Sequence, residues 1–134
     1  MEPHINTDPF QINWNNYASI YSKSFSELRK ISKYEDVTLV VNDGYALAHR
    51  LVLATCSPIL ASIMDLSPKP GVVYLGDINN TIVNLLLDFM YTGVAEIAKE
   101  DLDEFLKVGD KLKVIGLSEN EFEKKIIESE AFYF

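Results

Sequence analysis

Few residues in this chain have side chains that could do covalent or metal chemistry. Cys56 is the only cysteine, and His4 and His49 are the only histidines. One thiol cannot form a disulfide within the chain, and one thiol with two imidazoles is too small a soft-ligand set for a thiolate zinc site. A reducing compartment is the natural inference. Acyl-transfer chemistry needs a nucleophile aligned with a base, and His49, Cys56 and Ser57 fall in no recognisable motif that would align them. His49 reads as a structural histidine beside a strand end. Cys56, among apolar neighbours, reads as a small buried hydrophobe. Asp36 and Arg50 offer a local ion pair orienting a strand against a helix; if that pair is buried, removing one partner costs roughly 3–5 kcal/mol. No catalytic residue, metal site or cofactor is expected.

The 134 residues suit one domain, and a chain of about this size buries roughly two thirds of its unfolded surface. Hydrophobic residues at 48% and charged residues at 24% are the balance of a globular domain. The 12 basic and 20 acidic residues leave a formal net charge of −8, which would repel a phosphate backbone, so direct nucleic-acid binding is not expected. Residues 1–95 carry net −3 (6 basic, 9 acidic) and residues 96–134 net −5 (6 basic, 11 acidic), a spread that fits solvated helix faces. The opening Met-Glu-Pro-His lacks a basic segment followed by an apolar one, and no apolar run approaches the ~20 residues of a membrane span, so no membrane partner is expected. Asn79-Asn80-Thr81 fits the glycosylation triplet but, without an export signal, reads as a helix cap.

Local patterns place the elements. Phe10, Ile12 and Trp14 alternate with Gln11 and Asn13 as in a strand with one apolar face, and no hairpin partner adjoins it. A helix follows, capped by Asn15 or Asn16, with a wide apolar arc through Tyr17, Ile20, Tyr21, Phe25, Leu28 and Ile31. Strands Val37–Val41 and Tyr45–Ala48 flank Asn42-Asp43-Gly44, where glycine accepts the positive φ of a hairpin turn. A helix spans about His49 to Thr55. Ser57 as N-cap and Pro58 at the first position open another, with Ile59, Leu60 and Ile63 on its buried side. Two prolines make 67–71 a loop, and Val72–Leu75 is a short strand. Asn79 or Asn80 caps a helix through Ile82, Val83, Leu86, Leu87, Met90 and Tyr91 that Gly93 ends. The next helix aligns Leu102, Phe105, Leu106, Gly109 and Leu112 and ends at Gly116, with Leu117 as its clasp. Ser118 and Glu121 form a capping box before a final amphipathic piece through Phe122, Ile126 and Ile127. Phe132-Tyr133-Phe134 is read as a frayed tail or the start of a truncated element.

With these elements placed, the chain resembles a BTB/POZ domain over residues 10–117. The motifs are Asp36-Val37-Thr38-Leu39, Ala48-His49-Arg50 with Leu53-Ala54-Thr55-Cys56-Ser57-Pro58, Phe89-Met90-Tyr91-Thr92-Gly93, and Leu112-Lys113-Val114-Ile115-Gly116-Leu117. Phe10-Gln11-Ile12-Asn13-Trp14-Asn15-Asn16-Tyr17 further resembles the opening of the tramtrack type, found in insect transcription and chromatin regulators, with Asn13 in place of the usual arginine. Ala98 stands where the family usually has a capping serine, which should weaken that helix start by about 1 kcal/mol.

The resemblance implies an α/β (α+β) fold, a cluster of helices around a small mixed sheet, with the N-terminal strand exchanged between subunits. Residues 1–9 are then a flexible N-terminus and 118–134 a helical extension. It implies homodimers or larger homo-oligomers in a nuclear protein, with other BTB proteins or co-regulators as further partners. Phe10, Ile12, Trp14, Tyr17, Tyr21 and Phe25 are the expected dimer interface, although Trp14, Tyr17, Tyr21 and Phe25 could also be core. Asp36 and Arg50 match the family's charged pocket, which leaves two roles open, pocket or local ion pair. The alternative use of this fold is as a substrate adaptor for a cullin-3 ubiquitin ligase. Such adaptors usually carry a hydrophobic-x-Glu element where this chain has Leu66-Ser67-Pro68-Lys69-Pro70, without the glutamate.

Overall fold

The computed structural model describes residues 7–67 and 71–117. The capping box at Ser118 and Glu121, the helical extension, residues 68–70 of the proline loop and residues 1–6 of the N-terminus lie outside the described residues. The elements run α1 (Tyr17–Lys30), β1 (Val37–Val41), β2 (Gly44–Ala48), α2 (Arg50–Cys56), α3 (Pro58–Leu66), β3 (Val72–Leu75), α4 (Asn80–Thr92) and α5 (Lys99–Lys111). The fold is therefore mixed α/β, with five helices around one three-stranded sheet among the described residues.

The hairpin β1–β2 is antiparallel and pairs Val41 with Gly44, and β3 joins the other side of β1 in parallel, giving the order β2-β1-β3. A parallel neighbour requires a crossover, and α2 and α3 supply it. Alternation sends Val37, Leu39, Val41, Ala46, Ala48, Val73 and Leu75 inward, where they meet Leu53, Leu60, Ile82, Val83, Leu86, Leu87, Phe105 and Val114 in one core.

Polar side chains fix the helix starts. Ser57 Oγ accepts from the Leu60 N–H at 3.0 Å and donates to the Leu112 carbonyl at 2.6 Å, so one buried hydroxyl caps α3 and ties it to the end of α5. For α4 the cap is Asn79, whose Oδ1 accepts from the Ile82 N–H at 2.9 Å. Asp43 Oδ1 accepts from the Asn80 N–H at 2.7 Å, which locks the hairpin turn onto that helix and places a carboxylate at its positive end. Helix α5 starts at Ala98 with no side-chain cap. Its exposed, extended backbone (φ −63°, ψ 146°) already suits a capping residue. Ala98→Ser should therefore stabilise the domain by about 1 kcal/mol, seen as a higher denaturant midpoint with unchanged slope.

Residues 10–14 pair with no strand of their own chain, as a strand exchanged onto a second subunit would not, and so keep the place expected of them. Several expectations are corrected. Asn16 is the cap residue of α1 but sits at φ 65° and bonds no helix N–H through its side chain. Gly44 takes the positive φ expected of it, 157°, but already pairs with Val41 as the first residue of β2, so the central residues of the turn are Asn42 and Asp43. Met64 rather than Ile59 completes the buried side of α3, since Ile59 is 37% exposed. Helix α5 ends at Lys111, before Gly116: Lys113 takes φ 54°, its N–H bonds the Asp110 carbonyl at 3.0 Å, and the Val114 N–H bonds that of Gly109 at 2.9 Å. That is a Schellman ending with lysine where glycine is usual. The Leu117 clasp is present nonetheless, for a Cβ on Gly109 would lie only 2.8 Å from Leu117 Cδ1.

Candidate self-association surface

Helix α1 has the arc of large apolar residues expected of a core helix, yet none of its residues is fully buried. It attaches to the domain through Phe25, which packs partly buried against the core, and through Arg29, whose Nη1 donates to Asp88 Oδ1 at 2.6 Å and whose guanidinium carbon lies over the Tyr91 ring, 5.3 Å from its centre. The far end leads back into Trp14, and here the aromatic rings stack on one another. Trp14 packs edge-on to Tyr17 at 5.3 Å and to Tyr21 at 6.1 Å, Tyr17 lies 5.0 Å from Tyr21, and Tyr21 lies 5.9 Å from Phe25. Such contacts contribute about 0.5–1.5 kcal/mol each beyond area burial. They order the ladder without hiding it. Phe10 is 98% exposed, Ile12 92% and Trp14 55%.

Beside the ladder an apolar groove of about 310 Å³ runs between α1, α2 and α4, lined by Tyr21, Phe25, Leu51, Val52, Cys56 and Met90 among others. The structure thus brings four of the expected interface residues, Trp14, Tyr17, Tyr21 and Phe25, into one ladder, and two of those into the groove. Phe10 and Ile12 extend beyond it, touching no core. Leu51, 65% exposed on the groove, was not apparent from its sequence context, because a single leucine on a short helix gives no period to read. Burial raises the Cys56 thiol above its ordinary value, as suits a packing residue and not a nucleophile.

Asp36 and Arg50 do come together, but through the backbone. Asp36 Oδ1 accepts from the Arg50 N–H at 2.7 Å, and no ion pair joins the two side chains among the described residues. The carboxylate acts as the N-terminal cap of α2, in place of the His49 side chain, which makes no such bond. Asp36 is exposed, so the cost reckoned for stranding a buried charge does not apply to it.

His49 is buried and fully used. Its backbone N–H donates to the Tyr91 Oη at 2.9 Å, its Nδ1 lies 2.6 Å from the same oxygen, and its Nε2 lies 2.7 Å from the Lys33 carbonyl. A carbonyl can only accept, so Nε2 carries the proton and Nδ1 accepts from the phenol. That assignment satisfies every group, including the phenol oxygen as acceptor. His49 is thus a clasp joining the loop after α1, the start of α2 and the end of α4. Among the described residues no cluster of His, Cys, Asp and Glu could hold a metal ion.

The sheet order, the helix set and this surface define the class. The BTB/POZ domain family model matches residues 25–130, and the chain belongs to the BTB/POZ family, whose domains are protein-interaction modules. It is similar to the Longitudinals lacking protein-like protein of Drosophila melanogaster, 35% identical over 82% of this chain and 87% of that protein. It is also similar to the Drosophila Broad-complex core protein (35% identical, 87% of this chain) and to the alpha isoform of Drosophila tramtrack (36%, 82%), of which it spans only 16% and 14%. In fold it matches the BTB domain of zebrafish PATZ1 with a TM-score of 0.76 at 20% identity, covering 90% of this chain and 99% of that one.

Proposed function

We propose that the chain is the self-associating module of a nuclear transcription or chromatin regulator, and that its unit is a homodimer built through residues 10–25. The observation that carries this reading is an aromatic ladder and a first helix left exposed by a chain whose core is otherwise closed. An apolar segment left this exposed is a liability unless another chain covers it. Its similarity to Drosophila tramtrack and Broad-complex proteins supports the regulatory setting.

The segment at 94–98 supplies an edge for the first strand. It lies in no helix or strand, its exposure alternates from Val94 to Ile97, and Ala95, Glu96 and Ile97 donate no hydrogen bond among the described residues. Phe10–Trp14 of a second copy laid along it would satisfy those groups and bring the ladder of one chain toward the groove of the other. The module does no covalent chemistry in this reading and takes no cofactor. Co-regulators or other BTB domains bind the assembled dimer, with Asp36 and Arg50 near its surface as the charged pocket.

Mixing two differently tagged copies tests this. Co-expressed, the tagged chain should retain the untagged one through washes at high salt, as expected of an apolar contact. Failure to retain it, with tight stoichiometric capture of a cullin instead, would replace the proposal by the ubiquitin-ligase adaptor.

A further inference from the structure

Helix α1 is tied to the rest of the chain at one end. Residues 17–24 are all exposed, and Phe25, Ser26, Leu28 and Arg29 are half-buried. Arg29, on Asp88 at 2.6 Å, makes the one side-chain hydrogen bond from α1 to another element among the described residues. No backbone hydrogen bond joins α1 to another element among those residues.

Behind the helix the chain is anchored. His49 Nε2 donates to the Lys33 carbonyl at 2.7 Å, and the Asp36 N–H donates to the Ala48 carbonyl at 3.2 Å. Residues 33–36 therefore stay with the hairpin and the start of α2 whatever α1 does. Between anchor and helix lies Ser32 at φ 52°, a left-handed conformation that glycine takes freely and serine holds at a cost. The chain thus has a fixed point, a strained residue beside it and a lightly held helix beyond.

We infer that α1 is a hinged strap: in an unpaired chain it lifts off about Ser32 as a minor excursion, and a second copy, in the dimer proposed above on which this reading rests, holds it shut. Opening breaks no strand pairing and takes from the margin of the core the partly buried Phe25. It uncovers the groove formed with Leu51, Val52, Cys56 and Met90. A helix of 14 residues is marginal in water once its packing is lost, so α1 unwinds as it leaves. Phe25, the Arg29–Asp88 pair and the guanidinium over Tyr91 keep the closed form in the majority.

The second copy acts by linkage. A partner seated on the aromatic ladder binds the closed form alone, so the open fraction falls as protein concentration rises. An opening groove is then a mark that unpaired chains carry and pairing removes. Cys56 reports it, because it is the only cysteine and lines the groove that α1 covers.

The test measures amide exchange by mass spectrometry together with alkylation of Cys56 by iodoacetamide. In the single chain made by Phe10→Ser/Ile12→Ser/Trp14→Ser, amides 25–31 should exchange well before amides 82–87 of α4, which open only with the whole domain. Adding Arg29→Gln removes the ion pair and the cation over Tyr91, and should speed both amides 25–31 and Cys56 by the same factor, about tenfold. Asp88→Asn, which leaves the guanidinium in place, should speed both by less. In the wild type, amides 25–31 should slow by at least about tenfold between dilute and concentrated protein.

Amides 25–31 that exchange only in step with α4 in the single chain overturn the strap, as does an Arg29→Gln variant with unchanged exchange there. Faster amides with unchanged Cys56 alkylation also overturn it, for the helix would then fray in place without lifting. A wild type that remains a single chain, with one exchange rate at every concentration, overturns the dimer and with it the second copy as the closing partner.

Discussion

Phe10→Ser/Ile12→Ser/Trp14→Ser should convert the protein to a folded single chain. The three side chains are 98%, 92% and 55% exposed in the isolated subunit, so their removal takes nothing from the core. Burying a large apolar side chain contributes roughly 1.5–3 kcal/mol, and a two-fold contact loses the three from each copy, so association should weaken by at least about 5 kcal/mol, more than three decades in Kd. Sedimentation at micromolar concentration should show one chain, with the wild-type circular dichroism spectrum. Apparent thermal stability should fall as well, and should no longer rise with protein concentration, because the partner that stabilised the folded state by mass action is gone. A triple variant that still sediments as two chains would place the contact elsewhere.

Tyr91→Phe should destabilise the subunit itself by about 3 kcal/mol. The phenol oxygen serves the backbone N–H and the ring Nδ1 of His49 at 2.9 and 2.6 Å, and phenylalanine keeps the ring while leaving both groups buried without partners. Each orphaned polar group costs about 1–3 kcal/mol. The denaturant midpoint should drop with little change of slope, and the loop at 32–36, held through the Lys33 carbonyl, should exchange its amide protons faster. The same tyrosine gives the wild type an alkaline limit. Burial raises its phenol above the ordinary value near 10, so the folded state holds the proton more tightly than the unfolded chain. Its contribution is complete below the unfolded pKa and declines as pH rises through the folded one. Tyr91→Phe removes this part of the high-pH slope, and a variant as stable as the wild type would contradict the clasp.

What was legible in the sequence was the chemistry that acts within a few residues. Ser57 before Pro58, Asn79 three residues before Ile82, and the alternation of Val37 to Val41 each specify a local geometry, and the structure has all three. The end of α5 departs from what its local residues specify. Gly116 has the expected residue type for a helix end, but the core position of Val114, fully buried, draws the chain off the helix earlier and forces Lys113 into the left-handed region. Ties between distant residues could not be read. His49 and Tyr91 are 42 positions apart and Arg29 and Asp88 are 59, and nothing local in either segment names its partner. Asp36 and Arg50 meet through a backbone N–H and not as the ion pair their charges suggest, because a carboxylate facing a helix start is met first by the backbone N–H. The aromatic ladder was legible as a set of residues, since period alone groups Tyr17, Tyr21 and Phe25 on one side of a helix. What period leaves open is whether that side faces a core or a second molecule, and the absence of any fully buried residue in α1 favours the second molecule.

The most direct test of that reading is the molar mass of the wild-type chain by sedimentation equilibrium, followed by dilution from micromolar to nanomolar concentration. Two chain masses or an even multiple at the upper end, falling toward one only on deep dilution, is the predicted result. A well-folded chain of single mass across the whole range would contradict it.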